Sequence, residues 1–375
     1  MSIQLIDAES YRRSLAVRDL TDAALGPHAM QLLVRDAIAA LRDRWRCAVV
    51  VHRAPPVVRI TANYDELGYP PEGAARDARY TRYVTSERLL RSQTSAMIPA
   101  ALKMIAPAAY DDVLLACPGL AYRRDAIDRL HVGEPEQLDL WRLARKPLTR
   151  ADLEGMIVAV AHALLPNAEL RLDPAQHPYT LDGIEVHARV DGRWVEILEC
   201  GLAHPRILEA GLGAGYTGLA MGVGLDRMLM LRKRIDDIRV LRSTDPRIAA
   251  QMLDLTPYRP VSSQPAIERD LSIATSTQTM PEEIGDRVRR AIGERAASIE
   301  SIEVLAETPG SALPSAARER LGIGPDQKNV LLKLVIRDLE RTLTSAEANV
   351  LRDEVYAALH EGTAHSWAAR RAEKS

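Results

Sequence analysis

Two arginine-bearing segments carry the clearest chemical signal in this chain. Tyr122-Arg123-Arg124-Asp125 ends an apolar run and opens a polar loop, AIDRLHVGEPEQ. An arginine at such a strand end can project over a sheet and meet a phosphate through two parallel hydrogen bonds. The second segment is GLAMGVGLDRMLML, residues 218–231. Its glycines let a planar ligand lie close to a strand backbone, and Arg227 follows in the first turn of a helix. Taken singly, each arginine reads more readily as a surface or structural residue. In this order, they suit a clamp that holds a triphosphate from two sides.

These groups need rigid elements to position them. Residues 26–46 place Met30, Leu33, Val34, Ile38, Leu41 and Trp45 at helical spacing, which predicts a long amphipathic helix. Residues 47–60 read as strand, break and strand around Ala54-Pro55-Pro56, and a polar loop follows over 63–85. A helix is expected from Ser86 towards Leu102, and two short strands are expected on either side of a Pro118-Gly119 turn. Residues 152–164 predict another helix. Residues 184–190 alternate strictly, Asp191-Gly192 follows, and RWVEILECG returns, the pattern of a hairpin. A helix is expected from Gly224 to about Arg234.

The composition shifts near Thr256-Pro257. Beyond it the order is strand (267–274), helix (282–295), strand (300–306), a Pro- and Gly-rich loop, strand (330–337) and helix (345–360). This β-α-β-β-α order predicts a small ferredoxin-like sandwich. The fold class is therefore α+β, with domains expected at 1–255 and 256–375.

Composition excludes several classes. Lys and Arg number 49 against 51 Asp and Glu, a net charge of -2, so a general nucleic-acid coat is unlike this chain. Cys47, Cys117 and Cys200 have no paired spacing for a disulfide framework or a zinc site. The N-terminal residues lack an apolar signal core, and no run is long enough to span a membrane, so a cytoplasmic location is expected. The chain contains no phenylalanine, where ordinary usage would give roughly a dozen, although Leu, Met, Tyr and Trp are all present.

The motifs resemble those of class II aminoacyl-tRNA synthetases in the phenylalanyl version. YRRDAID…H…EQLDLW is similar to motif 2 and its following strand, and GLAMGVGLDRMLMLRKRIDDIRVL is similar to motif 3. ARDARYTRYV, LLRSQTSAMIP and WVEILECGLAHPRIL resemble three further segments of the family. YRPVSSQPAIERDLSI and RDLERTLTSAE look like the two ends of its ferredoxin-fold anticodon-binding domain. The resemblance covers about residues 60–360, in the domain order of the single-chain, organelle-type enzyme.

It implies an antiparallel-sheet catalytic domain and an ATP- and Mg²⁺-dependent ligase. Such an enzyme would activate phenylalanine, or a close aromatic analogue, and transfer it to tRNA, expected to be tRNA-Phe. A monomer or homodimer is expected. Two rivals are an adenylating ligase that serves a carrier protein or small molecule, and a non-catalytic tRNA-binding paralogue.

The resemblance also implies roles residue by residue. Arg123, Asp125, His131 and Arg227 would contact ATP, with Arg123 and Arg227 catalytic. Gln93, Ser95, Gln137, Asp139, Leu219, Ala220 and Met221 would bind the amino acid, and Glu196 would serve the metal. Several residues depart from the family pattern: Leu219 and Met221 stand for paired phenylalanines, Gln93 for a histidine, Asp139 for a glutamate and Glu199 for a glycine. Two accounts are open, an altered specificity or a chain stripped of phenylalanine and repaired. Removal of phenylalanine leaves Gln93 and Glu199 unexplained. Tyr80 and Tyr83, interleaved with Arg76, Arg79 and Arg82, read first as a solvated loop, since such alternation is common, and second as a surface to pack a tRNA acceptor end.

Overall fold

Apolar, β-branched runs from the first two-thirds of the chain assemble into one seven-stranded sheet. A computed structural model describes residues 5–190, 192–261 and 264–365. Contacts divide the chain into two units. The first comprises Met1–Arg123, Glu134–Leu241 and Pro246–Arg259, and the second Arg124–Gly133, Arg242–Asp245 and Pro260–Ser375. The main division thus falls at 259/260, against an expected 255/256, and two short inner segments belong to the second unit.

In the first unit, helices α1 (Ala8–Ala16) and α2 (Ala29–Trp45) precede strands β1 (Ala48–Val51) and β2 (Val57–Arg59). A single turn, α3 (Ile60–Asn63), leads through the loop to β3 (Arg88–Leu90), α4 (Ile98–Ile105), β4 (Asp112–Leu120) and β5 (Glu136–Ala144). Then come α5 (Arg150–Leu164), β6 (Leu170–Pro174), β7 (Thr180–Val190) and β8 (Arg193–Ala203). The unit closes with α6 (Pro205–Leu212), β9 (Thr217–Gly224), α7 (Leu225–Lys233) and the short α8 (Pro246–Ala249).

The sheet order is β1-β4-β5-β9-β8-β7-β6. β1 and β4 run parallel, and every other neighbouring pair is antiparallel. Side chains alternate along strands, so register sorts them onto two faces. One face carries Gln137, Asp139 and Trp141 of β5, aligned with Gly224, Gly222 and Ala220 of β9, and then Glu199 and Gly201 of β8. The other carries Leu138, Leu140 and Arg142, aligned with Val223, Met221 and Leu219. Helices α4 and α6 cover one end of the first face, where Ile98, Leu102, Ile207 and Leu208 bury Trp141 and Ala220.

Two expected elements differ. Residues 112–120 form one unbroken strand, with no turn at Pro118-Gly119. Pro118 is tolerated because β1 pairs β4 only as far as Ala116, so no neighbour on that side asks for its missing N–H. The helix expected from Ser86 begins only at Ile98, since Pro99 fits the first turn of a helix and not its interior. The preceding residues supply β3, which pairs with β2.

The second unit contains β10 (Ile267–Ser276), α9 (Pro281–Ile292), β11 (Ile299–Pro309), α10 (Ser315–Leu321), β12 (Gln327–Ile336) and α11 (Ser345–Leu359). Its antiparallel sheet has the order β10-β12-β11. Val330, Leu332, Leu334 and Ile336 alternate inwards from β12 and meet Val288 of α9 and Leu351 and Val355 of α11 in one core, which also takes Ile127. The β-α-β-β-α order is as expected, with α10 added inside the Pro- and Gly-rich loop.

Candidate active site

Strand β9 provides the floor of an open site. A Cβ placed on Gly222 or Gly224 would meet nothing within 4 Å. The space above them lies on the face that carries Gln137, Asp139 and Glu199. Glycine here keeps the backbone itself approachable by a flat ligand.

Asp139 stands on one side of this floor, 3% exposed. Thr94 Oγ1 donates to its Oδ2 at 2.6 Å, Ser95 Oγ donates to Oδ1 at 2.9 Å, and Trp141 Nε1 reaches Oδ1 at 3.3 Å. Burial nonetheless pushes its carboxyl up to about 6, outweighing those donors. Such a carboxylate is a ready partner for a cation. The neighbouring Gln137 Oε1 accepts from the Thr94 backbone N–H at 3.2 Å. Tyr69 donates its hydroxyl to Gln93 Oε1 at 3.0 Å, and Gln93 Nε2 donates to the Asn63 carbonyl at 3.1 Å.

Glu199 stands across Gly222 from Asp139. Its Oε2 lies 3.3 Å from His177 Nε2. Burial raises its carboxyl, while His177 pulls the other way. His177 stacks on Tyr179 at 5.9 Å, Tyr179 on Trp141 at 6.3 Å, and Tyr69 tilts against Tyr179 at 6.4 Å. An aromatic wall therefore runs from the Asp139 side to the Glu199 side.

The arginines stand at other positions of the same unit. Arg123 Nε donates to the Ser92 carbonyl at 2.8 Å, one residue before Gln93. Arg227 emerges just after Gly224, which aligns with Gln137, and its Nη1 donates to the Glu196 carbonyl at 3.3 Å. A bulge at Ile197 aligns Glu196 with His187 and turns its side chain to the face of Glu199. The Glu196 carboxylate lies 3.9 Å from Arg227. Among the described residues, no three His, Cys, Asp or Glu converge as a metal cage.

The expected residues divide as follows. Ser95, Gln137 and Asp139 come together, and Gln93 joins them through Tyr69. Ala220 lies on the same face, beneath the α4–α6 cluster. Leu219 and Met221 do not join them. They align with Arg142 and Leu140 and point to the opposite face, buried at 0% and 1%. Their place as pocket residues is corrected by the period-2 alternation of β9. The rings that do flank the site, Tyr69, His177 and Tyr179, were not singled out from sequence. Asp125 and His131 belong to the second unit, where Arg289 donates to the Asp125 and Ala126 carbonyls and His131 Nδ1 lies 2.7 Å from Asp128. Tyr83 and Arg82 are buried, Tyr83 bonding the Arg76 carbonyl and Arg82 pairing with Glu134. These two serve the fold of the loop in place of an exposed tRNA contact.

Comparison with known proteins adds a family. Residues 45–252 match the class II core domain (F) of the tRNA synthetases. The chain is 33% identical over 204 residues to the phenylalanine–tRNA ligase alpha subunit of Prochlorococcus marinus (strain NATL2A), covering 54% of this chain and 59% of that one. It is 36% identical over 207 residues to the alpha subunit of Heliobacterium modesticaldum, covering 50% and 59%. It is 35% identical over 204 residues to that of Staphylococcus carnosus, covering 50% and 57%. The chain thus spans somewhat over half the length of these relatives.

Proposed function

The chain belongs to the class II tRNA synthetase core family, and from that premise we propose that it activates phenylalanine or a close aromatic analogue with ATP and transfers it to tRNA. The observation that carries this reading is the donor-ringed, buried Asp139 beside the open glycine floor, with Arg123 and Arg227 in the same unit. Asp139 would hold the substrate ammonium, with Ser95 and Gln137 beside it. The substrate carboxylate would then meet the arginines proposed to bind phosphate.

In the first step, a carboxylate oxygen attacks the α-phosphorus, and the bond to the departing pyrophosphate breaks. No side-chain nucleophile is required. Arg123 and Arg227 neutralise the charge that develops on phosphate oxygens. Glu196 would hold Mg²⁺, which when bound screens the phosphates. In the second step, a terminal ribose hydroxyl attacks the acyl carbon and AMP departs.

The single-chain arrangement, with residues 260–365 as a tRNA-binding unit, belongs to the same proposal. So does tRNA-Phe as partner. No helix among the described residues is long and apolar enough to cross a membrane. The test is ATP–pyrophosphate exchange with a panel of aromatic amino acids, followed by charging of purified tRNA. Absence of exchange with every aromatic amino acid defeats the reading. Exchange without charging favours a ligase that serves another acceptor.

A further inference from the structure

We infer that Glu199 and His177 select an aromatic amino acid whose ring carries a hydrogen-bond donor, a hydroxyl or an amine, over phenylalanine itself. The inference rests on the proposal that this site activates an amino acid.

The register carries it. Asp139, Gly222 and Glu199 form one cross-strand row. Neighbouring strands stand roughly 4.8 Å apart, so the two carboxylate-bearing strands are separated by roughly 10 Å with only a glycine between them. An aromatic amino acid with its ammonium at Asp139 lays its ring across Gly222 and brings the ring edge towards Glu199. The rings of Tyr69, Tyr179 and His177 lie along the same path. They give the substrate ring aromatic faces and edges to pack against.

What waits at the far end is not apolar. Among the described residues, Glu199 has His177 as its only ion-pair partner, at Oε2, and its carboxylate accepts no hydrogen bond. His177 is itself oriented by Thr180, whose Oγ1 lies 3.2 Å from Nδ1. Arg123, Glu196 and Glu185 also act on Glu199 through space. An unsubstituted ring would strip water from the free carboxylate oxygen and return no donor. A ring hydroxyl or amine supplies one. Sites built to bond a substrate donor reject the analogue that lacks it far more strongly than apolar pockets reject an extra methylene.

The test is pyrophosphate exchange by the full chain with phenylalanine, tyrosine, meta-tyrosine and the 3- and 4-aminophenylalanines. At least one donor-bearing amino acid should exceed phenylalanine in kcat/KM by roughly tenfold or more. Glu199→Gly should shrink that ratio at least tenfold by raising the value for phenylalanine, and Glu199→Leu, which keeps bulk but no acceptor, should shrink it too. A wild-type preference for phenylalanine overturns the inference and leaves the proposed function standing. A preference for a donor-bearing ring that survives both substitutions overturns the assignment to Glu199. Exchange with none of the panel defeats the proposed function, and this inference falls with it.

Discussion

Asp139 of β5 and Glu199 of β8 occupy one cross-strand row, held apart by Gly222 of β9. Burial raises both carboxyls, but their surroundings differ. Asp139 is ringed by Thr94, Ser95 and Trp141 as donors, whereas Glu199 has a single imidazole. One is a finished socket for a cation, and the other keeps an acceptor open to the space over the glycines.

The first prediction follows from the Asp139 socket. Its folded value of about 6 lies above the ordinary 3.8, so the native state binds more protons than the unfolded chain between those values. Stability therefore falls as pH rises through that window, and the full cost is present above it. Asp139→Asn should melt no lower than wild type at pH 7.5, and any advantage should vanish near pH 4. Without the charge, KM for the amino acid should rise by roughly tenfold to a hundredfold, the worth of a hydrogen bond to a charged group. In wild type, KM should climb as pH falls through about 6. A flat KM between pH 5 and 8 would remove Asp139 as the ammonium partner.

The arginines give a second prediction. Arg123→Ala and Arg227→Ala should each slow pyrophosphate exchange by roughly 10²–10³-fold, the usual cost of removing one preorganised stabiliser of developing charge. Arg227→Ala also loses the bond to the Glu196 carbonyl. Its melting temperature should be measured alongside, so that misfolding is separated from lost chemistry. Near wild-type exchange in either folded variant contradicts the phosphate assignment.

Leu219 and Met221 give a third. Both are fully buried on the face opposite Asp139. Leu219→Phe and Met221→Phe therefore enlarge a packed core, not a pocket. Each should destabilise by about 1–3 kcal/mol through overpacking, with the ratio of kcat/KM between aromatic substrates unchanged. A shift in substrate preference without loss of stability would return these residues to the site.

Much of this was legible in the sequence because periodicity and turn chemistry are local. The stripe Met30-Leu33-Val34-Leu41 of α2 lies buried as its spacing implies. The hairpin of β7 and β8 follows from alternation around Asp191-Gly192, although residue 191 itself lies outside the described residues. What sequence did not reveal depends on partners far along the chain. Pro118 looks like a strand breaker until one knows that β1 pairs with β4 only as far as Ala116. The motif around Leu219 names a segment, but only the register against β5 tells which of its side chains face the site. The ring pair His177 and Tyr179 is polar enough to pass for a loop, and it becomes a wall only beside Tyr69 and Trp141.

The last prediction concerns composition. The chain has no phenylalanine, yet it uses 11 Tyr, 4 Trp and 10 Met. Large apolar residues are therefore not scarce, and the core is filled with Leu, Ile, Val and Met, which can pack to native density. A chain without phenylalanine codons needs no phenylalanyl-tRNA for its own synthesis. An enzyme that charges tRNA-Phe and is free of that residue can be completed by ribosomes when the charged tRNA has run out. Most proteins of ordinary composition, including a synthetase that contains phenylalanine, would stall under the same conditions. Pulse labelling in the native host, after inhibition of its housekeeping phenylalanyl enzyme, should show continued synthesis of this chain while phenylalanine-containing proteins stop. The same experiment with one Leu codon changed to Phe, at an exposed site such as Leu172, should abolish that advantage without altering the folded protein. If the unaltered chain stops along with the rest, its composition confers no independence from the tRNA it is proposed to charge.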